Sequence, residues 1–248
     1  MNHKTPRQFR FLASTIVFCL LAVVGSSQGQ SDPNQPSCEQ INLSVEKTCL
    51  LRYEESGRYA RSIRTEIDSA KAYLTRHRAE KEKPAMVLDI DETALSNWPQ
   101  LRADDFAFFL NGPCNLSANG TVLAPCGWNK WVELEKALPI VPTLELYRQA
   151  RSRGLEVFFI TGRTEAQRAT TAANLRAAGY EGFADSDLVM KPTDVHPKSL
   201  ASFKTAARQA IADRGYAIWL NVGDQESDLS GGFAEKVFKL PNPFYYVP

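Results

Sequence analysis

Met86-Val87-Leu88-Asp89-Ile90-Asp91-Glu92-Thr93 is a short apolar run that ends in acids, and few folds tolerate it. Carboxylates beside apolar neighbours are costly to bury unless they are paired or metal-bound. Residues two apart on a strand face the same side, so Asp89 and Asp91 can converge at the strand's carboxyl end. Open α/β sheets bind ligands at that end. One run of this kind is only suggestive; segments downstream make it specific.

Further apolar, β-rich runs lie at Val157–Ile160, Leu188–Met190, Ala217–Val222 and Val237–Leu240. Helical stretches at Thr143–Ser152, Thr164–Ala177 and Ser199–Asp213 separate several of them. Strands alternating with helices predict βαβ units and a mostly parallel sheet covered on both faces. Upstream, Leu51–Arg78 carries Tyr59, Ile63, Ile67, Ala70 and Leu74 at helical spacing, which predicts one amphipathic helix with a solvated charged face. Asn97–Pro139 is long and aromatic-rich, and a connection of that length between strands is usually a lid or cap.

The amino end reads as an export signal. Lys4, Arg7 and Arg10 precede an apolar run of 14 residues, Phe11–Val24, followed by small and polar residues. That run is shorter than the ~20 residues a membrane span needs. Cys19 lies inside it, behind Phe18, which argues against lipidation. Without the leader, 26 basic residues face 28 acidic ones, a formal charge of −2. So slight a charge offers no electrostatic basis for binding nucleic acid or an anionic membrane. Four cysteines then remain, and the spacing suggests the pairs Cys38–Cys49 and Cys114–Cys126, although four cysteines allow three pairings. Zinc is the weaker reading, since there is no Cys-x-x-Cys and the only histidines are His3, His77 and His196.

Polar clusters close three of the strands: Asp89-Ile90-Asp91-Glu92-Thr93, Ile160-Thr161-Gly162-Arg163, and Val222-Gly223-Asp224-Gln225-Glu226-Ser227-Asp228. A lysine-bearing segment, His196-Pro197-Lys198 to Phe203-Lys204, lies between the third and fourth strands. In this order the clusters resemble the four motifs of the haloacid dehalogenase-like (HAD) superfamily. Within it, the chain from Cys49 onward is similar to the secreted acid phosphatases, bacterial class C enzymes and the plant acid phosphatase and vegetative storage proteins. One motif alone could be helix caps or ordinary turns; four in order are specific.

The resemblance implies a Rossmann-like core with strand order 5-4-1-2-3, an N-terminal helical extension and a cap inserted after the first strand. The expected boundaries are 1–29 for the leader, 30–84 for the extension, 85–96 and 140–248 for the core, and 97–139 for the cap. It also implies an exported (periplasmic or extracellular) Mg²⁺-dependent phosphatase acting on small phosphomonoesters, nucleoside monophosphates among them. A carboxylate can attack phosphorus and split hydrolysis into two easier steps; Asp89 is the expected nucleophile. Asp91 is the expected general acid and base. Mg²⁺ would be held by the Asp89 and Asp224 carboxylates and the Asp91 carbonyl. Thr161 and Lys204 would stabilise the phosphoryl charge, and Asp228 would orient a bound water or Lys204. Lys198 is the fallback for Lys204, and Lys191 lies in the same interval. Arg163 is left outside the core site.

Trp128 and Trp131, three apart, share a face if helical. Packing of the cap onto the core is preferred over an aromatic platform for a leaving group. Two other readings stay open: a storage or binding protein on the same fold, which the presence of Asp89 opposes, and a phosphotransferase using the same intermediate.

Overall fold

The computed structural model describes residue 1 and residues 42–77, 83–193 and 199–247. The leader pattern, Cys38 and the fallback Lys198 lie outside them. The five residues picked out by helical spacing, Tyr59 to Leu74, are all buried on one helix, α2 (Arg58–Arg76). The expected single helix is nevertheless two. A separate helix, α1 (Leu43–Glu55), ends at Ser56-Gly57, where Gly57 takes φ +70°. Glycine enters that left-handed region without a side-chain clash, so the chain breaks there and restarts. Asn42 caps α1 by accepting the Ser44 N–H at 2.9 Å.

Further along the chain lie α3 (Trp98–Ala103), α4 (Trp128–Leu134), α5 (Val141–Ser152), α6 (Arg168–Ala177), α7 (Leu200–Asp213) and α8 (Glu226–Leu229). Five strands build one parallel sheet: β1 (Lys83–Leu88), β2 (Glu156–Thr164), β3 (Leu188–Lys191), β4 (Tyr216–Gly223) and β5 (Lys236–Lys239). Their order, β3-β2-β1-β4-β5, is the expected one read from the opposite edge. β1 is central. Its Met86 and Leu88 join the apolar cluster that includes α2 and α5, while Ala85 and Val87 face Ala207 and Ile211 of α7. Burial on both faces is why these strands read as continuous apolar runs rather than alternating ones.

Between β1 and α5, α3 and α4 are accompanied by two short ribbons, Leu95–Ser96 with Leu138–Pro139 and Asn115–Leu116 with Val122–Leu123. Cys114 and Cys126 form a disulfide there, as the spacing suggested. Cys49 is exposed. β2 runs past its expected end at Ile160, and its register against β3 jumps from Thr161↔Met190 to Thr164↔Lys191. Gly162 and Arg163 are thereby extra residues on β2, a bulge of the kind that re-aims side chains beside active sites. No helix among the described residues is long and apolar enough to cross a membrane.

Candidate active site

The carboxyl ends of β1 and β4 bring three buried carboxylates together. Asp89, Asp224 and Asp228 each place an oxygen within 4.8 Å of the others. Lys204 enters from α7 and bonds two of them, Nζ lying 2.5 Å from Asp89 Oδ1 and 2.5 Å from Asp228 Oδ1. Of the described lysines in that interval it is the one that bonds Asp89; Lys191 lines the same cavity. Burial pushes Asp89 well above the usual carboxylate range, against the pull of Lys204, and pushes Asp224 up to about 6. Burial also opposes the charge on Lys204, but the flanking Asp89 and Asp228 outweigh it and hold the ammonium protonated.

The loop after β4 is shaped by close approach and by an arginine. A side chain at Gly223 would collide with Asp228, so only glycine lets that acid fold back toward Lys204. Arg208 lies one turn beyond Lys204 on α7. It donates to the carbonyls of Asp228 at 2.5 Å and Gly232 at 2.9 Å, and also to that of Ser230. Asp228 itself takes the Gln225 N–H on Oδ2 at 2.8 Å. Both its oxygens are thus engaged by the protein, which suits an orienting role. Asp224 accepts Thr93 Oγ1–H at 3.0 Å and the Gln225 side-chain amide at 2.6 Å.

Asp91 is gripped from another side. Arg163 donates to its carboxylate from Nε at 3.1 and 3.2 Å and from Nη2 at 2.7 Å. The arginine side chain is 1% exposed and the aspartate 18%, so the pair sits at the cavity wall. Asn97 Nδ2 adds a third grip at 3.0 Å. The two tryptophans of α4 brace these grips. Trp131 donates Nε1–H to Asn97 Oδ1 at 2.8 Å, and the Arg163 guanidinium lies 5.5 Å from the Trp128 ring centroid. Trp131 is buried, as the packing reading expects; Trp128 lines the cavity.

Glu92 escaped the sequence reading. It is buried, with φ +55°, a backbone region costly for a non-glycine residue. Its carboxyl is pushed up to about 8 by burial, then by the Asp91 charge. Asn97 N–H at 2.6 Å and Tyr245 O–H at 2.6 Å hold it in place. Arg163 was also passed over, because nothing in Thr-Gly-Arg announces a bulge. Thr161 is fully buried at the end of β2, its Oγ1 accepting the Arg163 N–H at 3.1 Å.

A cavity of about 630 Å³ opens over Asp89, Asp91, Lys204 and Asp224. Leu101, Phe106, Phe108, Trp128, Tyr245 and Tyr246 supply its apolar wall. The arrangement offers a buried carboxylate, a second carboxylate two residues on, and a fixed ammonium, all facing one concave space.

Known proteins resemble this chain in sequence and in fold. The sequence model for HAD superfamily subfamily IIIB (acid phosphatase) matches residues 25–248. Acid phosphatase 1 of Solanum lycopersicum is 32% identical over 195 residues, covering 78% of this chain and 66% of that protein. The stem 28 kDa glycoprotein of Glycine max is 33% identical over 209 residues, 82% of this chain and 77% of the other. Among solved structures, the class C acid phosphatase from Bacillus anthracis superimposes with a TM-score of 0.64 at 21% identity. That superposition covers 83% of this chain and 87% of the bacterial one, and it shows the shared fold.

Proposed function

Since the chain belongs to HAD superfamily subfamily IIIB, the acid phosphatases, we propose that it is an exported, Mg²⁺-dependent hydrolase of small phosphomonoesters working through an aspartyl-phosphate. The observation that carries the reading is Asp89, buried against Lys204 yet lining the cavity, with Asp91 gripped beside it. Asp89 Oδ2 attacks phosphorus and the bond to the ester oxygen breaks. Asp91 gives its proton to the leaving alkoxide, then takes one from the water that hydrolyses the acyl phosphate and restores Asp89. Lys204 keeps nucleophile and phosphoryl group from repelling each other. The Thr161 hydroxyl is a donor for a phosphoryl oxygen.

The residues fit a hard divalent cation. The donors are all oxygens, and three carboxylates against one ammonium leave two formal negative charges in a buried space. Asp89, Asp224 and the Asp91 carbonyl would hold Mg²⁺, with Asp228 orienting its surroundings. Bound there, the ion supplies neutralisation of phosphoryl charge. The segment 97–139 is read as a cap, and its aromatic residues favour an aryl or nucleobase leaving group. Export agrees with the Cys114–Cys126 disulfide, since such bonds persist in oxidising compartments.

Release of p-nitrophenol from p-nitrophenyl phosphate, with and without Mg²⁺, tests this for wild type and Asp89→Asn. Turnover is expected only for the wild type with Mg²⁺. Equal release by both proteins would end the nucleophile assignment, and equal release without Mg²⁺ the metal assignment. No turnover by the wild type across a panel of phosphomonoesters would favour the storage reading.

A further inference from the structure

Asp224 is also reached from the far end of the described chain. After β5, Asn242 donates Nδ2–H to Asp224 Oδ2 at 2.8 Å, while its own Oδ1 accepts the Phe244 N–H at 2.9 Å. Val247 N–H bonds Gln225 Oε1 at 3.0 Å, and Gln225 donates to the same Asp224 oxygen. Tyr245, between them, bonds Glu92. Phe244 anchors the segment, its ring 4.9 Å from that of Tyr59 on α2 and 5.2 Å from that of Trp98 on α3.

We propose that Pro241–Val247 is a strap that positions the metal site. Asn242 acts directly and Val247 through Gln225 to set the Asp224 carboxylate, while Tyr245 holds the loop after β1 through Glu92. The proposal rests on the reading of Asp224 as a metal ligand. Two amide donors occupy Asp224 Oδ2 and a single hydroxyl, that of Thr93, occupies Oδ1. Oδ1 is therefore the oxygen turned toward a cation. Donors to a ligating carboxylate fix its orientation, and losing one typically weakens metal binding about 10–100-fold. Coupling is reciprocal: if the strap strengthens the cation's binding, the bound cation stabilises the strap by the same factor.

Calorimetric titration of Mn²⁺ and Mg²⁺ into the metal-free full chain tests the idea without reference to turnover. Asn242→Ala should bind both ions about tenfold more weakly than wild type, and the loss of its two hydrogen bonds should lower the melting temperature in EDTA as well. In the wild type, Mn²⁺ should slow hydrogen exchange at the Phe244 and Val247 amides. Equal affinity in the two proteins overturns the proposal, as does exchange at those amides that is indifferent to Mn²⁺. If Asn242→Ala does not fold, the wild-type exchange measurement decides alone. A wild type that binds neither ion removes the metal reading of Asp224 itself, a result distinct from a strap that fails to tune it.

Discussion

Replacing Asp89, the proposed nucleophile, by Asn removes one buried charge while keeping the side chain's shape. Turnover should vanish, yet the metal-free fold should become more stable. In an effective dielectric of about 20, an attraction across the 2.5 Å to Lys204 is on the order of 6.6 kcal/mol. Repulsion from Asp224 and Asp228, at 4.8 Å or less, is at least about 3.5 kcal/mol each and together offsets it. What remains is the cost of stripping water from a buried carboxylate, the cause that dominates the raised pKa of Asp89. Recovering part of that should stabilise the fold by about 2 kcal/mol, which raises the melting temperature of a chain this size by about 4–8 °C.

The sign follows from linkage. The folded pKa lies above the unfolded one, so the stability carried by neutral Asp89 is full below the ordinary carboxylate value and is lost as pH rises through the folded value. The gain from Asn is therefore large at mildly alkaline pH and shrinks in acid. Differential scanning fluorimetry in EDTA at both pH extremes measures it, with Mg²⁺ added afterwards. Mg²⁺ should stabilise wild type more than the variant. An Asp89→Asn protein that melts at or below wild type in alkaline EDTA would refute the charge accounting.

Arg163→Met should leave Asp91 held by Asn97 alone and impair proton delivery, which is worth about 10²–10⁴-fold to such reactions. The loss should be about tenfold greater for an alkyl phosphate than for p-nitrophenyl phosphate, whose leaving group needs little protonation; equal losses would instead point to Arg163 binding phosphate. Because Glu92 is pushed from 4.5 up to about 8, the stability of the metal-free protein should fall as pH rises between those values, and Glu92→Gln should flatten the fall in a pH series of melting curves. The Cys114–Cys126 bridge closes a separation of 12 residues, so Cys114→Ser should cost about 3 kcal/mol; a reducing agent should shift the wild-type melting curve further than the variant's, by a similar amount.

The architecture was legible where physics acts locally. Apolar runs marked all five strands, and Tyr59 to Leu74 marked the buried face of α2, because burial leaves a periodicity. Acids at strand ends marked Asp89, Asp91 and Asp224, since acids there demand a partner, whereas Lys204, inside α7, was marked only by the family resemblance. What the residues did not disclose depends on backbone geometry or distance. Gly57 looked like one glycine inside a helix rather than its end. Arg163 fell outside the expected core site, because the β2 bulge that turns it toward Asp91 is written in no residue type. Asn242 and Asp224 stand 18 positions apart with nothing in their spacing to connect them.

The placing of β1 at the middle of the sheet has a kinetic consequence. Its neighbours begin at Glu156 and Tyr216, so the strand that leads into Asp89 and Asp91 emerges early from the ribosome and is paired late. Both pairings of β1 span a long stretch of sequence, which slows folding and leaves apolar strand edges exposed meanwhile. No fragment that stops short of β4 can shield Met86–Leu88 or bring Asp224 to Asp89. In refolding experiments, compaction and helix should return before catalytic competence, and truncated translation products should be clients of chaperones.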